Sequence, residues 1–265
     1  MKKRLDSMVF ERGLAESREK AKILIMEGLI FVDNQKSDKP GTTYNEDCNI
    51  EIRNNKIGYV SRGGLKLEKA IKSFNIELKN LTTLDVGAST GGFTDCMLQN
   101  GCTKVYSVDV GYGQLDWKLR NDPRVINLER TNIRYIDKLH IKDPIDFFTV
   151  DVSFISLRLV LPIIREIVRD GSLGICLIKP QFEAGREKIG KKGVVRDKKV
   201  HIEVIETIYN FCLNNGFSVL NIDYSPIKGP EGNIEYLMLI KKSDNAYIDD
   251  NIDVENTVKA SHEKL

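Results

Sequence analysis

The apolar positions of this chain follow two rhythms, and the change between them divides it. Before residue 58 the pattern is short and mixed. Two brief amphipathic segments follow Arg4-Leu5-Asp6. In the second, Leu14, Ser17, Ala21, Leu24 and Ile25 recur at helical spacing, Ser17 is placed to cap the helix, and Gly28 ends it. Leu29 to Val32 then reads as a strand running into a turn at Asp33-Asn34, and Cys48 to Ile52 alternates like a second strand. A small α+β unit of two helices and a hairpin is expected here.

A helix over Ser61 to Phe74 comes next, with Leu67, Ala70, Ile71 and Phe74 on one face and Lys66 and Lys69 together on another. From Leu81 the rhythm changes to short, continuous apolar runs: Leu81 to Val86, Val105 to Val110, Arg124 to Leu128, Asp146 to Asp151 and Leu173 to Lys179. Such runs suit parallel strands buried on both faces, and helical patterns such as Leu157 to Val168 lie between them. The last two runs, Phe217 to Tyr224 and Ile234 to Ile240, are joined by a Pro/Gly-rich turn too short for a crossover helix, so they should be antiparallel. The expected class is α/β: a mostly parallel seven-stranded sheet ending in an antiparallel hairpin, the layout of Rossmann-like methyltransferases. The expected divisions are 1–58, 59–242 and a polar tail, 243–265. That tail carries no firm element, although Ile252, Val258 and Leu265 could line a short helix.

Composition adds three points. Net charge is only +2 over 265 residues, but residues 243–265 carry six acids against two lysines, so the rest of the chain totals +6. The five cysteines form no CxxC pair, which suits reduced thiols in a cytoplasmic protein and offers no metal-ligand set. No apolar run approaches the ~20 residues that span a bilayer, and no signal-peptide core follows Met1-Lys2-Lys3-Arg4. A membrane role is therefore not expected.

Chemistry enters at the strand ends. Asp85, Gly87, Ser89, Gly91 and Gly92 form a glycine turn where the first long strand hands over to a helix, a point at which parallel sheets bind ligands. The spacing is not GxGxxG, and an acid directly before the first glycine would repel a pyrophosphate while suiting a cation. Asp109, with Val110 beside it, ends the second strand about 20 residues on, where an acid accepts ribose hydroxyls. Thr131 and Asn132 are candidates to border an adenine. S-adenosylmethionine fits this set of groups. The bland reading of Asp109 is a cap at a strand-to-loop junction.

Asp151 and Lys179 end the fourth and fifth strands and so reach one edge of the sheet, where a desolvated lysine calls for an acidic partner. Glu235 opens the last strand and Lys66 precedes the core. Together Lys66, Asp151, Lys179 and Glu235 resemble the Lys-Asp-Lys-Glu tetrad of FtsJ-related ribose 2′-O-methyltransferases. Tyr59 to Lys66, Asp85 to Thr94, Asp109-Val110-Gly111, Asp151 to Ser156, Lys179 to Glu183, Gly193 to Asp197 and Gly229 to Tyr236 extend the likeness to the TlyA family, also called haemolysin A proteins. It runs to Lys242. The opening unit resembles the RNA-binding module of ribosomal-protein-S-four type through Arg4-Leu5-Asp6, Ser17-Arg18, Ala21 and Ile25 to Val32.

The resemblance implies methyl transfer to ribose 2′-hydroxyls of ribosomal RNA, with cytidines of either subunit as targets and RNA or ribosomal subunits as partners. Lys179 would accept the 2′-proton or stabilise the forming alkoxide, with Asp151 and Glu235 orienting it and Lys66 completing the network. Arg4, Arg12, Arg18, Lys20 and Lys22 around the first helices, and Arg62, Arg186, Lys188, Lys191, Lys192 and Arg196 further on, are the candidate RNA contacts. Three other readings compete. An amino-methyltransferase would carry prolines that Asp151-Val152-Ser153-Phe154 lacks, a membrane-active protein would need a membrane segment, and an RNA-binding assembly factor would retain the fold without transferring a methyl group. Sequence leaves monomer and homodimer equally open.

Overall fold

A computed structural model describes residues 2–26, 28–52, 58–136, 140–190 and 193–265. The chain forms two compact units, Met1–Arg62 and Gly63–Leu265.

The first unit holds strand β1 (Lys2–Arg4), helices α1 (Leu5–Glu11) and α2 (Arg18–Met26), and strands β2 (Ile30–Val32), β3 (Gln35–Lys36), β4 (Thr43–Asn45) and β5 (Ile50–Ile52). Its core is Leu5, Met8, Val9, Ala21, Ile25, Ile30, Val32 and Ile50. The Ser17 hydroxyl accepts the Lys20 amide at 3.1 Å, capping α2 as its position predicts, and Gly28 leaves the helix at φ +69°. Asp33 and Asn34 both take positive φ, 48° and 65°, the requirement of a two-residue hairpin turn. That turn closes β2 on the two-residue β3. The strand expected near Cys48 to Ile52 is β5, which flanks β2 on its other side, and β1 pairs with β4 in a separate ribbon.

The second unit runs α3 (Gly63–Ser73), β6 (Thr82–Val86), α4 (Gly92–Gln99), β7 (Lys104–Val108), α5 (Trp117–Arg120), β8 (Val125–Leu128), β9 (Ile145–Val150), α6 (Leu157–Ile167), β10 (Val168–Ile178), α7 (Pro180–Glu183), α8 (Lys198–Asn214), β11 (Phe217–Tyr224), β12 (Tyr236–Lys242) and α9 (Val254–Lys264). Seven strands form one sheet in the order β11-β12-β10-β9-β6-β7-β8, and only β12 runs against its neighbours. The five parallel strands and the closing hairpin lie where the apolar runs place them. β6 and β9 are buried along nearly their whole length because helices cover both faces. After β6 the chain moves outward to β7 and β8, then returns across β6 to lay down β9 on its other side. A crevice therefore opens at the C-terminal ends of β6 and β9, where such sheets hold ligands.

Residues 243–265 lie within this unit. The Val219 amide donates to Tyr247 O, Ile248 bridges to β11, and α9 buries Val254, Val258 and Ser261. Among the described residues no helix is long and apolar enough to cross a membrane.

Candidate active site

Four charged side chains meet at this crevice from four elements. Asp151 follows β9, Lys179 follows β10, Glu235 precedes β12, and Lys66 comes from the first turn of α3. Lys66 is almost fully buried, although its place off the apolar face of the helix reads as surface. Its Nζ donates to Glu235 Oε2 at 2.7 Å and to Asp151 Oδ2 at 3.4 Å. Asp151 Oδ1 lies 2.5 Å from Lys179 Nζ, and Lys179 Nζ donates onward to the Ser153 hydroxyl at 3.2 Å. The contact with Lys179 is a charge contact without hydrogen-bond alignment, because Oδ1 has no hydrogen-bond partner among the described residues.

The groups thus form a line, Glu235–Lys66–Asp151–Lys179–Ser153. Glu235 orients Lys66 and touches Lys179 only through the chain of charges, which corrects the expectation that both acids orient Lys179. Lys69, one turn on from Lys66, takes no part: it pairs with Asp223 at 2.9 Å and lies over the Tyr224 ring.

Two positive and two negative charges cancel, which is what allows four buried ionisable groups to coexist. Burial alone would lower the affinity of Lys66 for its proton, but Asp151 and Glu235 outweigh it and raise its pKa. For Asp151 burial pushes upward, and the ammonium groups of Lys179 and Lys66 pull its pKa below the usual carboxylate range. Lys66 and Asp151 are therefore charged throughout the neutral range.

The glycine turn stands beside this line. Gly87, Ser89 and Gly91 all have positive φ. A Cβ on Gly87 would fall 2.5 Å from Asp151 O, so glycine is what lets the turn pass against the residue after β9. Asp85 does not face the crevice. It is fully buried, accepting the Thr94 hydroxyl at 2.7 Å and the Thr149 hydroxyl at 2.9 Å. Burial raises its pKa to about 6, against the pull of those two hydroxyls. Asp109 accepts the amides of Ser89 at 2.8 Å and Gly111 at 2.7 Å, so it fastens the turn after β6 to the loop after β7. Thr131 donates its hydroxyl to Glu129 O, and Asn132 accepts the Arg134 amide. Gly92 opens α4, and Val110 is 70% exposed.

Sequence reasoning missed an aromatic pair at the mouth. Phe154 is 90% exposed at φ +64° and leans on Phe182, with ring centroids 5.0 Å apart. Lys179 Nζ is 6.0 Å from the Phe182 centroid. A phenylalanine in a loop has no periodicity to reveal it; its place three residues after Asp151 was the only available signal.

The candidate RNA contacts fare unevenly. Arg4 and Arg18 are exposed but both clasp the buried Asp6, at 2.9 and 3.2 Å, and Arg12 donates to Glu46 O and Cys48 O. Lys20 is half-buried, and Lys22 lies 3.8 Å from Glu19. Arg62 has a buried Nε with no hydrogen-bond partner among the described residues. Arg186 and Arg196 are exposed, while Lys188 pairs with Glu203. Lys191 and Lys192 lie outside the described residues. No cluster of metal-ligating side chains occurs among the described residues.

Residues 59–242 match the FtsJ-like methyltransferases, and residues 3–47 match the S4 domain. The chain belongs to the FtsJ-like methyltransferase family. Within it, the TlyA group is shown by relatives of nearly equal length. The 16S/23S rRNA (cytidine-2′-O)-methyltransferase TlyA of Mycobacterium tuberculosis is 39% identical over 90% of this chain and 89% of its own. YqxC of Bacillus subtilis, provisionally named an rRNA methyltransferase, is 52% identical over 89% of this chain and 85% of its own. A solved Streptococcus thermophilus protein, provisionally named a haemolysin, superposes with a TM-score of 0.80 at 45% identity, covering 99% of this chain and 96% of that one. The FtsJ-like match includes all four charged residues of the line and the glycine turn, and leaves out α9.

Proposed function

We propose that this enzyme methylates a ribose 2′-hydroxyl of ribosomal RNA, a cytidine in the small or the large subunit, with S-adenosylmethionine as donor and in the cytoplasm. The observation that carries the reading is the placement of Asp151 between the buried ammonium groups of Lys66 and Lys179, next to the glycine turn.

The residues present fit the donor. Asp109 holds both loops through single hydrogen bonds and keeps lone pairs on each oxygen for a ribose diol; Gly87, Ser89, Gly91 and Gly92 would let the donor approach the main chain, and Val110, Thr131 and Asn132 would border its base. Asp85 acts from beneath, adding negative charge under the turn while its hydroxyl partners, Thr94 of α4 and Thr149 of β9, hold it in place. When bound, the donor supplies a methyl group on a sulfonium and leaves as a neutral thioether.

The chain's own task is to seat the alcohol. Lys179 meets the 2′-oxygen as an ammonium, held by Asp151 and Ser153, and stabilises the charge that develops as the O–H bond weakens. The proton passes to solvent beside the exposed Ser153. Lys66 and Glu235 fix Asp151 from behind, so that Lys179 needs little reorganisation during the reaction. Phe154 and Phe182 offer a face on which a nucleobase can stack, and the S4 domain by itself carries exposed cations of the kind that suit a phosphate backbone.

Lys179→Ala tests this. Turnover on ribosomal subunits should fall by about 10²- to 10³-fold, with the donor dissociation constant nearly unchanged by calorimetry. Equal loss of both would refute the assignment.

A further inference from the structure

Helix α9 lies beyond the methyltransferase match, yet its buried face leads toward the charged line. It packs on α8 and β11, burying Val254, Val258 and Ser261. The Ser261 hydroxyl donates to Val258 O at 2.7 Å and lies 3.2 Å from the Tyr236 hydroxyl. Tyr236 is fully buried and directly follows Glu235.

The Tyr236 hydroxyl is 2.7 Å from His201 Nδ1, and His201 Nε2 is 3.0 Å from Val195 O. A carbonyl can only accept, so Nε2 carries the proton and Nδ1 accepts from Tyr236, which leaves the single Ser261 proton, shared with Val258 O, as the donor to the Tyr236 oxygen. The Val195 amide in turn donates to Asn233 Oδ1 at 3.2 Å, and Asn233 Nδ2 donates to Gly193 O at 3.1 Å. Glu235 is thus bracketed by Asn233 two residues before it and Tyr236 one residue after it, both tied into one buried polar network. Its own carbonyl accepts the Ser225 amide at 2.8 Å. A Cβ on Gly229 would stand 2.1 Å from Glu235 Oε1, so the main chain there walls the carboxylate in.

Glu235 Oε1 has no hydrogen-bond partner among the described residues. With one oxygen unpartnered, the carboxylate takes its position from Lys66 and from the backbone on either side. A buried serine, phenol and imidazole cost desolvation unless every member is paired, so they select one geometry more than they add stability.

We propose that α9, acting through Ser261, Tyr236 and His201, is a positioning element that sets the Glu235 carboxylate against Lys66. The inference rests on the reading of Glu235 as part of the catalytic line. Tyr236 and Ser261 are positioning residues and touch no reacting atom.

The test uses the full chain with ribosomal subunits and radiolabelled donor. Tyr236→Phe should lower kcat about tenfold, and Ser261→Ala about threefold, with KM for the donor within twofold, since small misplacements near a reacting centre cost up to about 10²-fold. Ser261→Thr, which keeps the hydroxyl, should restore kcat. The double variant should lose less than the product of the single losses, as members of one network do. Unchanged kcat with a lowered Tm in both single variants would overturn the inference and leave α9 a structural helix. If Tyr236→Phe fails to fold, Ser261→Ala against Ser261→Thr decides. Glu235→Gln separates the two levels: full activity in that variant sinks the catalytic line itself, whereas an inactive Glu235→Gln beside a fully active Ser261→Ala sinks only the role of α9.

Discussion

Asp85→Asn should make the second unit more stable at neutral pH, although it removes an acid from beside the candidate cofactor site. Burial holds the pKa of Asp85 at about 6 against an ordinary 3.8. Below pH 3.8 the carboxyl is protonated whether the chain is folded or unfolded, and it contributes nothing. Between 3.8 and 6 the unfolded chain releases the proton and the folded chain keeps it, so stability falls as pH rises. Above pH 6 the penalty is constant, and two pKa units correspond to about 3 kcal/mol. Asparagine carries no charge but accepts less well from the two threonine hydroxyls, a loss of about 1 kcal/mol. The expected gain at pH 7.5 is therefore about 2 kcal/mol, shrinking to nothing or reversing near pH 4. Urea unfolding of both chains, followed by near-ultraviolet circular dichroism at several pH values, gives the difference directly. A variant destabilised by the same amount at pH 4.5 and pH 7.5 would refute the reasoning, because it would mean that the carboxylate is not strained by its burial. Calorimetry on the same proteins should show weaker donor binding, so that stability is gained at the expense of the site.

Two further outcomes follow from the ion pairs. Lys66→Ala leaves Asp151 and Glu235 buried without their shared cation and should cost about 3–5 kcal/mol, read as a fall in Tm; adding Glu235→Gln should recover part of it. Asp6, whose pKa is lowered to about 2 first by the Arg4 hydrogen bonds and then by Arg18, contributes stability that is present above pH 3.8 and is lost as pH falls toward 2. Asp6→Asn should therefore loosen the first unit by about 2 kcal/mol at neutral pH and low salt, less at 0.5 M salt because both arginines are half-exposed; hydrogen exchange of the α1 amides measures it.

The seven-stranded sheet was legible because burial on both faces imposes a continuous apolar run, and each run ends where its last side chain reaches the crevice. That is why Asp109, Asp151 and Lys179 could be placed at one sheet edge from the sequence. Strands β1, β3 and β4 were not legible. Two or three residues are too few to show alternation, and these strands exist because tertiary pairing with β2 and with each other supplies the partners. Helix α9 was legible only as a candidate short helix through Ile252, Val258 and Leu265, because its acids face solvent while Val254, Val258 and Ser261 turn inward. An apolar stripe that narrow is weaker than the acidic composition around it.

The charged line shows a different limit. Residue types and strand ends identify which four groups converge, since a buried lysine demands an acid and a buried acid demands a cation. They do not fix the order in which the groups touch. That order depends on how deep α3 sits against the sheet, and the depth is set by packing of Leu67 and Ala70, both fully buried. Because Leu67 follows Lys66 directly, burying the apolar face carries Lys66 inward with it, between Asp151 and Glu235. The helix packing thereby makes Glu235 a partner of Lys66, one step removed from Lys179. A substitution that lifts α3, such as a larger residue at Ala70, should act on catalysis through Lys66 without touching any of the four charges.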